Sequence, residues 1–207
     1  GIASLREAIC RFYDRSLGLR YTPGQIVVTS GSRPGIYGTF RTLVDPGDRV
    51  IFAVPSWNNN HYCHLTGAVA VPVVASSQDD FLPTRELLEP IIRGARLVAL
   101  NSPLNPTGTA FSADALAGIC DLVLEENERR VGSDRPLYLM YDQVYWMLTF
   151  GVEHVHPVAL RPDIARYTIY VDAISKSFAA TGLRVGWAVG PTQLIAQMSD
   201  LLTHVGA

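Results

Sequence analysis

The sequence is nearly without lysine: one, Lys176, stands against sixteen arginines. Lysine is normally among the commonest residues. An arginine-favouring background explains the scarcity, and it leaves open that the survivor sits where arginine cannot serve. Charge of either sign is also thin, at 17% of residues against roughly 25% in an average soluble domain. The net charge of −2 argues against binding nucleic acid or an anionic membrane through a general basic field. Cysteines 10, 63 and 120 are far apart and form no C-x-x-C, so neither a zinc site nor a disulfide framework is expected, and a reducing cytoplasm fits. Long apolar runs are missing. The longest stretch without a polar side chain, Gly67 to Ala75, contains Pro72, and a membrane-spanning helix needs about 18 or more residues. No secretory leader is expected, because Gly1 to Tyr13 already carries Arg6, Glu7 and Arg11 at helical spacing. The first residue is Gly rather than Met, which points to a fragment or a processed chain.

What is present is core material. Hydrophobic residues make up 48% of 207, enough for one sizeable domain or a little more. Residues 3–17 read as an amphipathic helix with Leu5, Ile9, Phe12 and Tyr13 on one face. Apolar runs at 26–28, 49–54, 68–74, 97–100, 137–141, 168–171 and 184–189 read as seven strands. Helices are expected between them: one opening from the small, flexible 29–35 segment and running to Leu43, one around 59–66, one from an N-cap at Thr84 through Ile92, and one from an N-cap at Ser112 to about Asn127. Short apolar strands alternating with helices predict an α/β fold: a three-layer, mainly parallel seven-stranded sheet with helices on both faces.

The conspicuous polar or small residues follow strand ends: Gly31, Trp57, Asn105, Asp142 and Lys176. In open α/β sheets ligands bind beyond the carboxyl ends of the strands, so five segments are expected to converge on one site. A lysine amine that loses its proton attacks carbonyls and forms Schiff bases, though an isolated lysine is more often a surface residue. Asp142 ends a buried strand, as a helix N-cap or as a carboxylate for a cationic ring nitrogen. Tyr145, three residues on, offers a hydroxyl or belongs with Trp146 to an aromatic core. Gly31, Ser32 and Arg33 lie between a strand and a helix, where free backbone N–H groups can cradle an anion. The segment is neither a dinucleotide fingerprint nor a P-loop: no G-x-G and no Gly-Lys-Ser/Thr occurs. Arg184 adds a cation suited to bidentate phosphate binding. His61 and His64 have no evident third ligand, so they are taken as helix-surface residues and no metal site is expected. Together these are an anion cradle, a second cation, an aromatic plate, a carboxylate, amide and hydroxyl donors, and one amine. Pyridoxal phosphate would use every one of them.

In order along the chain, Leu5-Arg-Glu-Ala8, Val44-Asp-Pro-Gly-Asp48, Pro55-Ser-Trp57, Asn105-Pro-Thr-Gly108, Asp142-x-x-Tyr145 and Ser175-Lys-Ser-Phe178…Gly182-x-Arg184-x-Gly186 resemble the class I/II aminotransferases. These are the aspartate aminotransferase-like, fold type I enzymes that use pyridoxal 5′-phosphate. The resemblance implies that Lys176 forms the internal aldimine and then carries the proton between substrate α-carbon and cofactor. It implies that Asp142 pairs with the pyridinium nitrogen, that Tyr145 and Asn105 bond the 3′ oxygen, and that Trp57 stacks on the ring. Gly31, Ser32, Arg33, Ser175 and Arg184 would complete the cofactor site, mostly at the phosphate. The implied function is amino transfer between an amino acid and a 2-oxo acid, in a homodimer when full length.

There are departures. Ala173 stands where many members have a serine or threonine, so Ser175 or Ser177 would have to supply that donor. Asn60 stands where some members place a histidine behind the aspartate. The resemblance also implies that residues 1–207 are the cofactor-binding large domain, without the N-terminal arm or the small C-terminal domain that carries the carboxylate-gripping arginine. The alternatives are a carbon–sulfur β-lyase or decarboxylase on the same scaffold, a non-catalytic aminotransferase-like module of a regulator, or an inactive piece.

Overall fold

A computed structural model describes residues 1–205. The elements follow one another as α1 (Ala3–Leu17), β1 (Ile26–Thr29), α2 (Ser32–Leu43), β2 (Arg49–Val54), α3 (Asn59–Thr66), β3 (Val69–Val74), α4 (Arg85–Leu88), β4 (Ala95–Asn101), α5 (Ala113–Arg129), β5 (Tyr138–Asp142), α6 (Pro157–Leu160), β6 (Thr168–Ala173), α7 (Ile174–Ser177), β7 (Gly186–Val189) and α8 (Thr192–Val205). All seven strands join one sheet in the order β1-β7-β6-β5-β4-β2-β3. β7 is antiparallel to both neighbours, and the remaining pairings are parallel. Six strands therefore point one way, in agreement with the mainly parallel expectation.

Alternation along each strand feeds two cores. Ile51, Tyr141 and Tyr170 join Tyr13, Leu116, Ile119 and Val123 on the α1 and α5 side. Val50, Phe52, Ile169 and Val171 join Ile36, Phe40, Leu43, Met198 and Leu202 on the α2 and α8 side. Apolar packing on both faces is why the inner strands read as unbroken hydrophobic runs, whereas β3 at the sheet's edge is mostly exposed. Each fully buried aliphatic side chain contributes about 1.5–3 kcal/mol, so two such layers hold the sheet edge rigid.

Several boundaries shift by one or two residues, as at β4, β6 and the end of α5, and two shifts have a clear local cause. The helix capped by Thr84 ends at Leu88 rather than Ile92. Pro90 has no N–H to donate, so the hydrogen-bond ladder stops there although Glu89 keeps helical backbone angles. The seventh strand starts at Gly186 rather than Arg184, because Arg184 is left-handed at φ 53° and cannot continue a strand. His61 and His64 are exposed on α3, as expected.

Candidate active site

The carboxyl ends of β1, β2, β4, β5 and β6 share one sheet edge. Because β7 is reversed, its amino end lies there too, with Thr29 and Ala173 both opposite Gly186. Arg184, just before that end, is thereby brought to the same edge. A cleft of about 220 Å³ opens on it, lined by Ser32, Arg33, Ile36, Trp57, Asn101, Asn105, Asp142, Val144, Tyr145 and Lys176. Five separate segments meet here, as the strand-end argument requires.

The cleft is polar at its floor. Asp142 is enclosed by protein except where it faces the cleft, and burial pushes its carboxyl up to about 6. Its Oδ1 accepts the Val144 N–H at 3.2 Å, which partly offsets that rise. Asn105 Nδ2 donates to the Tyr145 hydroxyl at 3.2 Å. Burial raises the Tyr145 phenol above its ordinary value, and the Asn105 bond opposes the rise. Lys176 is exposed, with Nζ 6.0 Å from the centre of the Tyr145 ring. Trp57 is half exposed and forms a wall of the cleft. An amine, a phenol and a carboxylate thus face one volume.

At the cleft's end, α2 starts without a side-chain cap, and no acidic residue stands in its first turn. Its free N–H groups and positive dipole end are open to an anion. Gly31 sits at φ 91°, and a Cβ there would collide with the Arg184 guanidinium. Gly186 is equally constrained, since a Cβ would lie 2.8 Å from the Ser32 nitrogen and closer still to the Gly31 carbonyl group. Two glycines therefore let β7, Arg184 and the α2 N-terminus close on one another. Arg184 Nη2 donates to the Ser30 carbonyl at 3.0 Å and Nη1 to the Thr181 carbonyl at 2.9 Å.

Not every expected residue is placed as the resemblance implies. Ser175 is buried and lies outside the cleft lining. Ser177 carries a buried hydroxyl without a hydrogen-bond partner. Asn60 is exposed and does not back Asp142; its neighbour Asn59 is the buried one, with Nδ2 3.4 Å from Ser56 Oγ. A helix turns its successive residues about 100° apart, so a slip of one position changes which side chain faces inward.

Sequence reasoning missed Asn101. Its Nδ2 donates to the Asp142 carbonyl at 2.8 Å and its Oδ1 accepts the Asn105 N–H at 2.9 Å, which ties β4's exit to β5's. Its place as the last residue of a buried strand was the available signal. Sequence reasoning also passed over Asp172, which is almost fully buried and pushed up to about 7 by that burial. Among the described residues no cluster of metal-ligating side chains occurs, and no helix is long and apolar enough to cross a membrane.

Residues 1–205 match the family described as aminotransferase class I and II. The chain is 33% identical over 207 residues to an aspartate aminotransferase of Geobacillus stearothermophilus, covering 99% of this chain and 50% of that protein. It is 32% identical over 204 residues to an aspartate/prephenate aminotransferase of Cereibacter sphaeroides, covering 97% and 49%. A solved aspartate aminotransferase from Thermus thermophilus, with maleate, superposes with a TM-score of 0.90 at 30% identity, covering 99% of this chain and 51% of that one. The chain therefore spans about half the length of the relatives it matches.

Proposed function

The chain belongs to the class I and II aminotransferase family, which uses pyridoxal phosphate, and from that premise we propose that the whole protein transfers an amino group between an amino acid and a 2-oxo acid. The observation that carries this reading is the single lysine facing Asp142, Tyr145 and Asn105 in one cleft. The donor set suits pyridoxal phosphate group by group: an amine for its aldehyde, a carboxylate for its ring nitrogen, a phenol–amide pair for its ring oxygen. The cradle made by Gly31, Ser32 and Arg184 suits its phosphate. Every relative named above is an aminotransferase, and nothing favours the lyase, decarboxylase or regulatory readings.

When bound, the cofactor supplies the electron sink that acidifies the substrate α-carbon. The chain's residues supply the rest. Lys176 provides the attacking amine and afterwards carries the proton at the α-carbon. Asp142, ionised beside a ring N–H⁺, holds that proton in place. Tyr145, aligned by Asn105, donates its O–H to the ring oxygen. Trp57 covers one ring face and keeps water from it. Ser32 and Arg33 offer donors at the α2 N-terminus, and Arg184 adds a fixed cation.

We further read residues 1–207 as the cofactor-binding large domain. A small domain and a partner subunit would complete substrate binding. An amino acid and a 2-oxo acid are the expected substrates, with aspartate the first donor to test, because relatives are named for it. Three free cysteines suit a reducing cytoplasm. The test is to incubate the whole protein, loaded with pyridoxal phosphate, with aspartate. Accumulation of pyridoxamine phosphate and oxaloacetate is expected; conversion of aspartate to alanine and carbon dioxide without it would refute transfer.

A further inference from the structure

The 142–146 turn sends its side chains two ways. Asp142 and Tyr145 line the cleft, while Gln143 and Trp146 point into a hydrogen-bonded network behind it. At the centre is Asp172 on β6, four residues before Lys176 and only 1% exposed. Its Oδ2 accepts Trp146 Nε1–H at 3.0 Å and the Tyr13 hydroxyl at 3.1 Å, and its Oδ1 accepts the Ala173 N–H at 2.7 Å. The Tyr13 hydroxyl in turn accepts Gln143 Nε2–H at 3.2 Å and Trp187 Nε1–H at 3.0 Å. His154 Nε2 lies 3.3 Å from Gln143 Oε1. One carboxylate thus links α1, β6, β7 and the turn after β5. The titratable groups around it are Tyr13 from α1, His154 behind Gln143, and Asp142 on the neighbouring strand.

A buried carboxylate with no cation beside it is expensive to keep for stability alone. Saturated with donors, it fixes geometry instead. We propose that Asp172 is a positioning residue: by holding Trp146 to β6, the strand that leads directly into α7 and Lys176, it sets where the adjacent Tyr145 hydroxyl stands relative to the lysine and the cofactor. The two cleft residues then move as one unit with β6. This rests on the proposed role of Lys176 and Tyr145.

The test uses the whole protein loaded with pyridoxal phosphate and reads the pH at which its visible band changes. A phenol donating to the cofactor's ring oxygen favours the deprotonated form, so Tyr145→Phe should move that midpoint upward. Asp172→Asn and Trp146→Phe, the latter without any change of charge, should each move it upward by roughly 0.5 pH unit. Neither should add a shift in a Tyr145→Phe background, because the effect passes through that hydroxyl. Trp146→Phe keeps the ring, so it serves if Asp172→Asn does not fold. A lowered Tm with an unmoved midpoint would make the network merely structural and overturn the proposal. So would an equal shift in both backgrounds, which would mean that the Asp172 charge acts on Asp142 directly. If the unaltered protein shows no borohydride-reducible adduct on Lys176, the function itself is misread and this proposal falls with it. An adduct with unmoved midpoints overturns the positioning role alone.

Discussion

Arginine can replace lysine wherever a cation is all that is wanted, and this chain has sixteen arginines against one lysine. It cannot replace an amine that must give up its proton, because the guanidinium stays protonated at any accessible pH. Lys176 is exposed and forms none of the ion pairs found among the described residues, so a purely electrostatic role gains no support from its surroundings. Two substitutions separate charge from chemistry. Lys176→Ala should abolish the borohydride-reducible yellow adduct with pyridoxal phosphate, and Lys176→Arg should not restore it. Both should change stability by no more than about 0.5 kcal/mol, read from thermal melts, since nothing buried is disturbed. An adduct that survives in Lys176→Ala, located by peptide mapping, would remove Lys176 from its role. At this scale the sequence was informative because chemistry tied to a residue type needs no knowledge of the fold. The Tyr13–Asp172 contact was not legible for the opposite reason: it joins residues 159 apart, on elements that only the fold brings together.

Among the elements, strands were easier to recognise than to orient. Short apolar runs mark the strands, and seven were found where the described residues form seven. Nothing in such a run encodes direction, so the reversal of β7 and its place between β1 and β6 emerge only from the fold. That reversal brings Arg184 and Gly186 to the α2 N-terminus. The close approach depends on a missing side chain, which predicts a sharp contrast between two nearby glycines. Gly186→Ala would press a Cβ onto the Gly31 backbone, which cannot rotate away. Stability should fall by about 1–3 kcal/mol, and the affinity for pyridoxal phosphate should fall with it as the cradle opens. Gly182→Ala meets nothing within 4 Å and should be near neutral. Thermal melts of both variants, with inorganic phosphate titrated as a probe, check this. Equal tolerance of the two would mean that β7 does not need to touch Gly31.

Over the whole molecule, the buried ionisable groups set two opposed pH dependences. Asp142 and Asp172 are pushed from 3.8 to about 6 and about 7 by burial. Their contribution to stability is full below the unfolded value and is lost as pH rises through the folded ones. His154 is pushed from 6.5 to about 4, and His156 is also lowered, again by burial. Their contribution is full above 6.5 and is lost as pH falls through the folded value. Between pH 4 and 7 the two trends cancel in part, so the unaltered chain should show a shallow profile that hides both. Asp142→Asn should uncover them. It removes a carboxylate that ionises without an ion-pair partner, while the amide oxygen can still accept the Val144 N–H. At pH 8 the cofactor-free variant should melt about 2–4 °C above the unaltered chain, or roughly 1 kcal/mol, and the gap should narrow as pH falls below about 6 and close only near the unfolded value of 3.8. A gap independent of pH would show that Asp142 does not titrate in that range. The sign should reverse on loading. A protonated ring nitrogen gives Asp142 the counter-charge it otherwise lacks, so pyridoxal phosphate should raise Tm less in Asp142→Asn than in the unaltered protein. A residue that weakens the empty fold and strengthens the loaded one is retained for the ligand, and differential melts at pH 8 with and without the cofactor measure both halves of that statement.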